Sequence, residues 1–206
     1  MSFDNLTNFK VEVSDFLHRG EITAGASQVE SWISLAEADL NSQARTRHQE
    51  DFTANVATTG YLVHPSDWLA HKVVSYQSGS RKYDLQPYSE ESAVIQTGPG
   101  GGTDAEGYVV RGDKTYLVPY GSGTYHNVYY KKIPALTSSA TTNWLLTNYP
   151  QIYLGFVLKY AALWGYDDGR IGLFVSAAQQ QLGALNNASK LASFGQVPQA
   201  RPDRYY

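Results

Sequence analysis

Tyr129-Tyr130-Lys131-Lys132-Ile133-Pro134-Ala135-Leu136, a Ser/Thr run, then Asn143-Trp144-Leu145-Leu146-Thr147-Asn148-Tyr149-Pro150 is the stretch on which the fold turns. Pro134 has no N–H for a sheet ladder, and Thr137 to Thr142 carries no apolar period, so a strand must stop here. Pro150 stands where a helix begins, since its missing N–H is one of the first-turn donors that lack a partner anyway. Beyond it Ile152, Tyr153, Phe156, Val157, Tyr160 and Trp164 recur at helical spacing, up to a stop near Gly165. Asp167-Asp168 then caps a second helix with Ile171, Phe174, Val175, Ala178, Leu182 and Leu185 on one face.

Upstream, Leu6, Phe9, Val13, Phe16 and Leu17 mark an amphipathic helix over Asn5 to His18, stopped by Gly20. Ser27 with Glu30 forms a capping box for a second, whose apolar face is Val29, Trp32, Ile33, Ala36 and Leu40. Its cationic end, Arg45, Arg47 and His48, complements the helix dipole. From Phe52 to Lys131 the pattern becomes short β runs: Gly60 to Val63, Lys72 to Tyr76, Arg81 to Leu85, Tyr108 to Arg111, Lys114 to Val118 and Thr124 to Tyr130. Turns fall at Ser78-Gly79-Ser80, Gly112-Asp113 and Gly121-Ser122-Gly123, which suits an antiparallel meander. Pro87 to Glu91 reads as the start of a short helix before the loop Gly98 to Gly102.

The expected fold is therefore α+β: mainly an α-helical bundle of about four helices, with a small antiparallel β insertion and an extended C-terminal tail. The bundle takes residues 1–50 and 132–194, the insertion 51–131 and the tail 195–206. A chain of 206 residues has material for one domain with such an excursion, and two independent domains are not expected.

Composition narrows the chemistry. With no Cys, disulfides, thiolate nucleophiles and thiolate metal sites are excluded. The N-terminus lacks the pattern of a signal peptide and no apolar run is long enough to cross a bilayer, so the chain is expected to be soluble, unexported and free of membrane. Net charge is −3 and the basic residues are scattered, which argues against a phosphate-binding stripe. Tyr is abundant at 16 residues, a type that serves interfaces as readily as cores.

The apparent motifs have plain structural readings. Gly98-Pro99-Gly100-Gly101-Gly102 lacks the Lys-Ser or Lys-Thr of a phosphate loop. Arg111-Gly112-Asp113 lies between two strand patterns, so Gly-Asp is a hairpin turn rather than an adhesion tripeptide. The five His residues, His18, His48, His64, His71 and His126, show no paired zinc-ligand spacing. The carboxylates of Glu90-Glu91 and of Asp167-Asp168 are adjacent in sequence, which suits capping better than a glycosidase acid and nucleophile. Tyr125, Tyr129 and Tyr130 with Lys131 and Lys132 have the residue types that stack bases, but strand packing with solvated lysines explains them more simply. No catalytic residue, cofactor or metal ligand is expected.

Trp32-Ile33-Ser34-Leu35-Ala36-Glu37-Ala38-Asp39-Leu40-Asn41, followed by Arg45, Arg47 and Gln49-Glu50, resembles the second helix of bacteriophage head-to-tail adaptor (connector, head completion) proteins. The Ile-Pro-Ala-Leu segment, the Asn-Trp-Leu-Leu turn and two closing helices follow in the same order, so the resemblance spans roughly Phe3 to Phe194. The chain departs from the pattern between Gln96 and Glu106 and after Gly195. The resemblance implies a structural protein of the virion head–tail interface, assembled in the host cytoplasm. It implies a dodecameric ring that meets the portal protein above and a nozzle or tail hub protein below. Genomic DNA would pass through the lumen without sequence-specific binding. Within that reading the tail offers Arg201, Arg204, Tyr205 and Tyr206, types enriched at binding hot spots, for contact with the portal. The alternative is a virion-borne carbohydrate or peptidoglycan hydrolase, which needs two carboxylates facing each other across a cleft.

Overall fold

A computed structural model describes residues 3–17, 27–57, 60–78, 81–90, 105–119, 123–165 and 168–194. The chain forms two compact units, one from residues 1–48 with 133–206 and one from 49–132.

In the first unit the helices are α1 (Leu6–Leu17), α2 (Ser27–Gln43), α3 (Trp144–Asn148), α4 (Pro150–Trp164) and α5 (Asp168–Phe194). Pro150 opens α4 and Gly165 closes it, as the punctuation of the sequence requires. Helix α4 is the centre of the unit: Ile152, Tyr153, Leu154, Phe156, Val157, Leu158, Ala161 and Ala162 are all buried, so apolar residues lie almost all round it. The period read from the sequence captured one face of a helix that is packed on several. Around it lie Phe9 and Val13 of α1, Val29, Trp32, Ile33 and Leu40 of α2, and Ala178, Leu182 and Leu185 of α5. Gly155 lets α4 and α5 approach closely, because a Cβ there would stand 2.6 Å from the Ala178 methyl. Trp164 is 47% exposed rather than core.

The second unit corrects the fold class expected above. Among the described residues it holds two four-stranded sheets, so the protein is too rich in sheet to be a mainly helical bundle with a small insertion. The first sheet has the order β1-β8-β3-β4, with β1 Glu50–Ala57, β8 Gly123–Lys131, β3 Trp68–Ser78 and β4 Arg81–Asp84. The second runs β2-β7-β6-β5, with β2 Tyr61–Val63, β7 Lys114–Val118, β6 Gly107–Arg111 and β5 Gln86–Pro87. Strand β5 lies parallel to β6, so the arrangement is not a meander. Two features hid this from the sequence. Strand β1 is an edge strand whose Phe52 points to solvent, which blurs the alternation expected of a half-buried strand. Strand β3 carries register shifts between Trp68 and Ala70 and between His71 and Val73, and each breaks the period of two.

One apolar cluster draws on both sheets: Val74, Tyr76 and Tyr125 from the first, Leu62 and Leu117 from the second, with Leu85 and Ala105. The Tyr76 and Tyr125 rings meet at 4.9 Å between centroids. Gly112 turns the β6–β7 hairpin at φ +59°, in the left-handed region that the reading of Arg-Gly-Asp as a turn requires.

Candidate interaction surfaces

The Ile133–Asn143 link, so conspicuous in sequence, is held by side chains of α2 and α4. Asn41 Oδ1 accepts from the Ile133 N–H at 2.8 Å. Glu37 Oε1 accepts from the Leu136 N–H at 2.7 Å and from the Tyr153 hydroxyl. Asn143 works in two directions: its Oδ1 caps α3 by accepting from the Leu146 N–H at 2.9 Å, and its Nδ2 donates to the Pro134 carbonyl at 2.7 Å. Burial pushes the Glu37 carboxyl above its ordinary value against the pull of its two hydrogen bonds, and burial likewise raises the Tyr153 phenol. A signal for Glu37 was present in the sequence, for it lies on the apolar face of α2, four residues after Ile33 and three before Leu40.

Nearby, Asp39 Oδ2 accepts from Lys159 Nζ at 2.6 Å and from the Tyr160 hydroxyl at 2.7 Å. Burial alone would raise the Asp39 carboxyl, but those bonds and the lysine charge hold it below the usual carboxylate range. Asn186 of α5 ties the end of α2, its Oδ1 accepting from the Arg45 N–H at 2.9 Å. The Arg45 guanidinium in turn donates to the Asn41 and Ala44 carbonyls, the helix-end role expected of it. His48 stacks on Trp144 at 5.0 Å.

In the β unit, two histidines that sequence spacing left apart are brought together. His71 Nδ1 lies 2.7 Å from Asn127 Oδ1, and its Nε2 lies 2.5 Å from Thr115 Oγ1, which is also 2.7 Å from His64 Nε2. With both rings neutral, one proton order satisfies every atom. The His71 Nδ1–H donates to Asn127, the Thr115 hydroxyl donates to the bare Nε2 of His71, and the His64 Nε2–H donates to Thr115. This chain of bonds joins β3 and β8 of one sheet to β7 of the other. Burial, then the neighbouring His71, brings His64 from the usual 6.5 down to about 4, against an opposing pull from Asp113; burial lowers His71 as well. Trp68 stacks on His64 at 3.8 Å.

Among the described residues, uncovered apolar side chains line up on two surfaces. On the first sheet, register aligns Phe52, Val128 and Val73 in one row across β1, β8 and β3; Phe52 is 56% exposed and Val73 is exposed too. On α5, Leu173, Ala177, Ala184 and Leu191 follow one exposed stripe at helical spacing, opposite the Ala178, Leu182 and Leu185 face. Leu191 is 71% exposed.

The remaining predicted positions fall as follows. Arg201, Arg204, Tyr205 and Tyr206 lie outside the described residues, as do Gly98 to Gly102, His18, Glu91 and Asp167. Tyr125 and Tyr129 are buried, and Lys131 pairs with Asp51 at 3.0 Å, so this strand does not present a row of free aromatics and cations. Glu90 pairs with Arg111 at 3.2 Å. Among the described residues no cluster of three His, Asp or Glu is placed to hold a metal ion, and no helix is long and apolar enough to cross a membrane.

A search of curated proteins found no match. The family model described as SU10 adaptor protein matches residues 4–205, nearly the whole chain. The chain belongs to that family of phage head-to-tail adaptors, structural proteins of the virion's head–tail junction that interact with portal and tail components.

Proposed function

We propose that twelve copies of this chain form a ring beneath the portal, extending the DNA channel and presenting a docking surface to the nozzle or hub of the tail. The observation that carries this reading is the family match over residues 4–205. Two features of the subunit support it. A closed ring needs two different, mutually complementary faces on each copy. The uncovered row of Phe52, Val128 and Val73 and the uncovered stripe on α5 differ in shape and composition, as such faces must. Neither is expected to hold copies together in dilute solution. Assembly is therefore templated: the portal gives each copy a second contact and raises its effective concentration next to its neighbours. DNA passes through the lumen without sequence-specific contact. The C-terminal segment 195–206 supplies the portal contact through Arg201, Arg204, Tyr205 and Tyr206.

Mixing the purified chain with purified portal, followed by light scattering and electron microscopy, tests the proposal. The free chain is expected as a monomer and the complex as one ring of twelve per portal. A stable ring of the free chain would overturn the template argument, and absence of binding to the portal would overturn the reading itself.

A further inference from the structure

A cavity of about 400 Å³ opens on the helical unit between α1, α2 and the link from Ala135 to Ser138. Leu6, Ile33 and Leu136 give it apolar walls, and Ser34, Thr137 and Ser138 bring hydroxyl groups. Glu37 lines it as well, at only 9% exposure. Both hydrogen bonds made by Glu37 fall on Oε1, so Oε2 takes none from the described residues. Oε2 is thus left to meet an occupant of the cavity, whose N–H groups can donate to it. Lys10 is engaged at the rim, its Nζ 2.5 Å from Glu30 Oε1, where the two charges cancel. The cavity is left with the Glu37 carboxyl, apolar walls and several oxygen acceptors.

We propose that this cavity is a socket for a guanidinium group, and that its occupant is Arg201 of the chain's own C-terminal segment. A guanidinium offers five N–H donors in one plane on an apolar stem, which suits a carboxylate and hydroxyls set in apolar walls better than a compact ammonium does. Arg201 is followed by Pro202, which biases its backbone towards an extended form, while Arg204 already has a carboxylate beside it in Asp203. The reach is sufficient. Helix α5 passes the end of α2 where Asn186 meets Arg45, and runs on to Phe194, roughly 12 Å further at the rise of a helix. From Arg45 back to Glu37 is roughly another 12 Å along α2. Seven residues, 195 to 201, can reach at most about 24 Å before the arginine side chain is added. The portal contact proposed above uses the same segment, so portal and socket compete for it; the socket itself needs no portal and is measured on the free chain.

The native chain has no Cys, which makes disulfide trapping clean. The test introduces Ser138→Cys at the rim of the cavity and Ala200→Cys beside Arg201 in the full-length protein, under glutathione disulfide. The expected product is a bond within one chain, running as a monomer on a non-reducing gel at every protein concentration. Arg201→Gln and Glu37→Gln should each slow it by about tenfold, the loss of a charge-assisted hydrogen bond. Glu37→Gln keeps an oxygen for the Leu136 N–H and the Tyr153 hydroxyl, and a melt confirms the fold; Arg201→Gln leaves the core alone in any case. A control pair, Ser176→Cys with Ala200→Cys, should react more slowly. Trapping indifferent to both Gln variants, or no faster than the control, would overturn the proposal. A product found only as a cross-linked dimer would overturn the assignment to the chain's own segment in favour of a neighbour's.

Discussion

Replacing Asn143 by Ala removes two hydrogen bonds at once, and the structure separates their contributions. The cap on the Leu146 N–H, at 2.9 Å, is worth about 1 kcal/mol, the usual loss when a helix N-cap is truncated. The bond from Nδ2 to the Pro134 carbonyl, at 2.7 Å, contributes about 1 kcal/mol more. Losing both should destabilise the protein by about 2 kcal/mol, and for a chain of this length each kcal/mol lowers the melting temperature by about 2–4 °C. The expected drop for Asn143→Ala is therefore about 4–8 °C. Asn143→Ser retains a capping oxygen without reaching Pro134 and should recover about half of the loss. Asn143→Asp keeps the cap but turns a carboxylate towards the Pro134 carbonyl, so it should recover less than Ser. Thermal melts followed by circular dichroism, with urea titrations to extract free energies, give the comparison. An Ala variant that melts with the native protein, or a Ser variant no better than Ala, would show that Asn143 does not hold the link and α3 together.

Three further outcomes are expected. Deleting residues 195–206 should leave the melting temperature and helical content nearly unchanged, because Leu182 and Leu185, the last core residues of α5, precede the cut, yet it should abolish capture of portal in a pull-down; equal capture would show the segment idle. Gly155→Ala places a Cβ 2.6 Å from the Ala178 methyl and should cost a net of about 1 kcal/mol after its gain in helix propensity. A double-mutant cycle with Ala178→Gly should show coupling of about 1 kcal/mol, and simple additivity would contradict the close approach of α4 and α5. Because the folded chain depresses His64 to about 4 from the usual 6.5, the unfolded chain binds more protons between those values. Stability of the β unit should thus be full above pH 6.5 and fall as pH drops towards 4. Amide exchange of β7 across that range reads the loss, which His64→Gln should flatten; protection independent of pH would count against the neutral histidine chain.

What was legible in the sequence follows from what each element demands of its residues. Helix α4 announced both ends, with Pro150 and Gly165, because helix termini have chemical requirements that few residues meet. Strand β7 is legible to the residue, since Lys114 to Val118 follows a Gly-Asp turn and stops before Pro119. Strand β1 gives no clear signal, because an edge strand is free to turn Phe52 outward. The bonds joining His64, Thr115 and His71 depend on how two sheets face each other, and no local spacing encodes that. Glu37 lay between: a carboxylate on an apolar helix face is a local oddity visible in sequence, but its partners Leu136 and Tyr153 are about a hundred residues away. The family resemblance, by contrast, rested on contiguous blocks, Trp32 to Asn41 and Ile133 to Leu146, and such blocks survive without knowledge of the fold.

The pairing of β1 with β8 has a consequence for how such a chain is built. Glu50 lies opposite Tyr130, and the Gln49 side-chain amide donates to the Lys131 carbonyl at 3.2 Å, so the chain enters and leaves the β unit through two hydrogen-bonded neighbours. Opposed Cα atoms in an antiparallel ladder are about 5 Å apart. To the helices, the whole excursion of residues 49–132 therefore has the end-to-end span of a tight turn. Each doubling of such an excursion costs only about 0.6 kcal/mol of loop-closure entropy, so this position tolerates large changes in length. A change in the length of residues 49–132 therefore leaves unaltered the two points at which the chain departs from residues 1–48 and returns to 133–206.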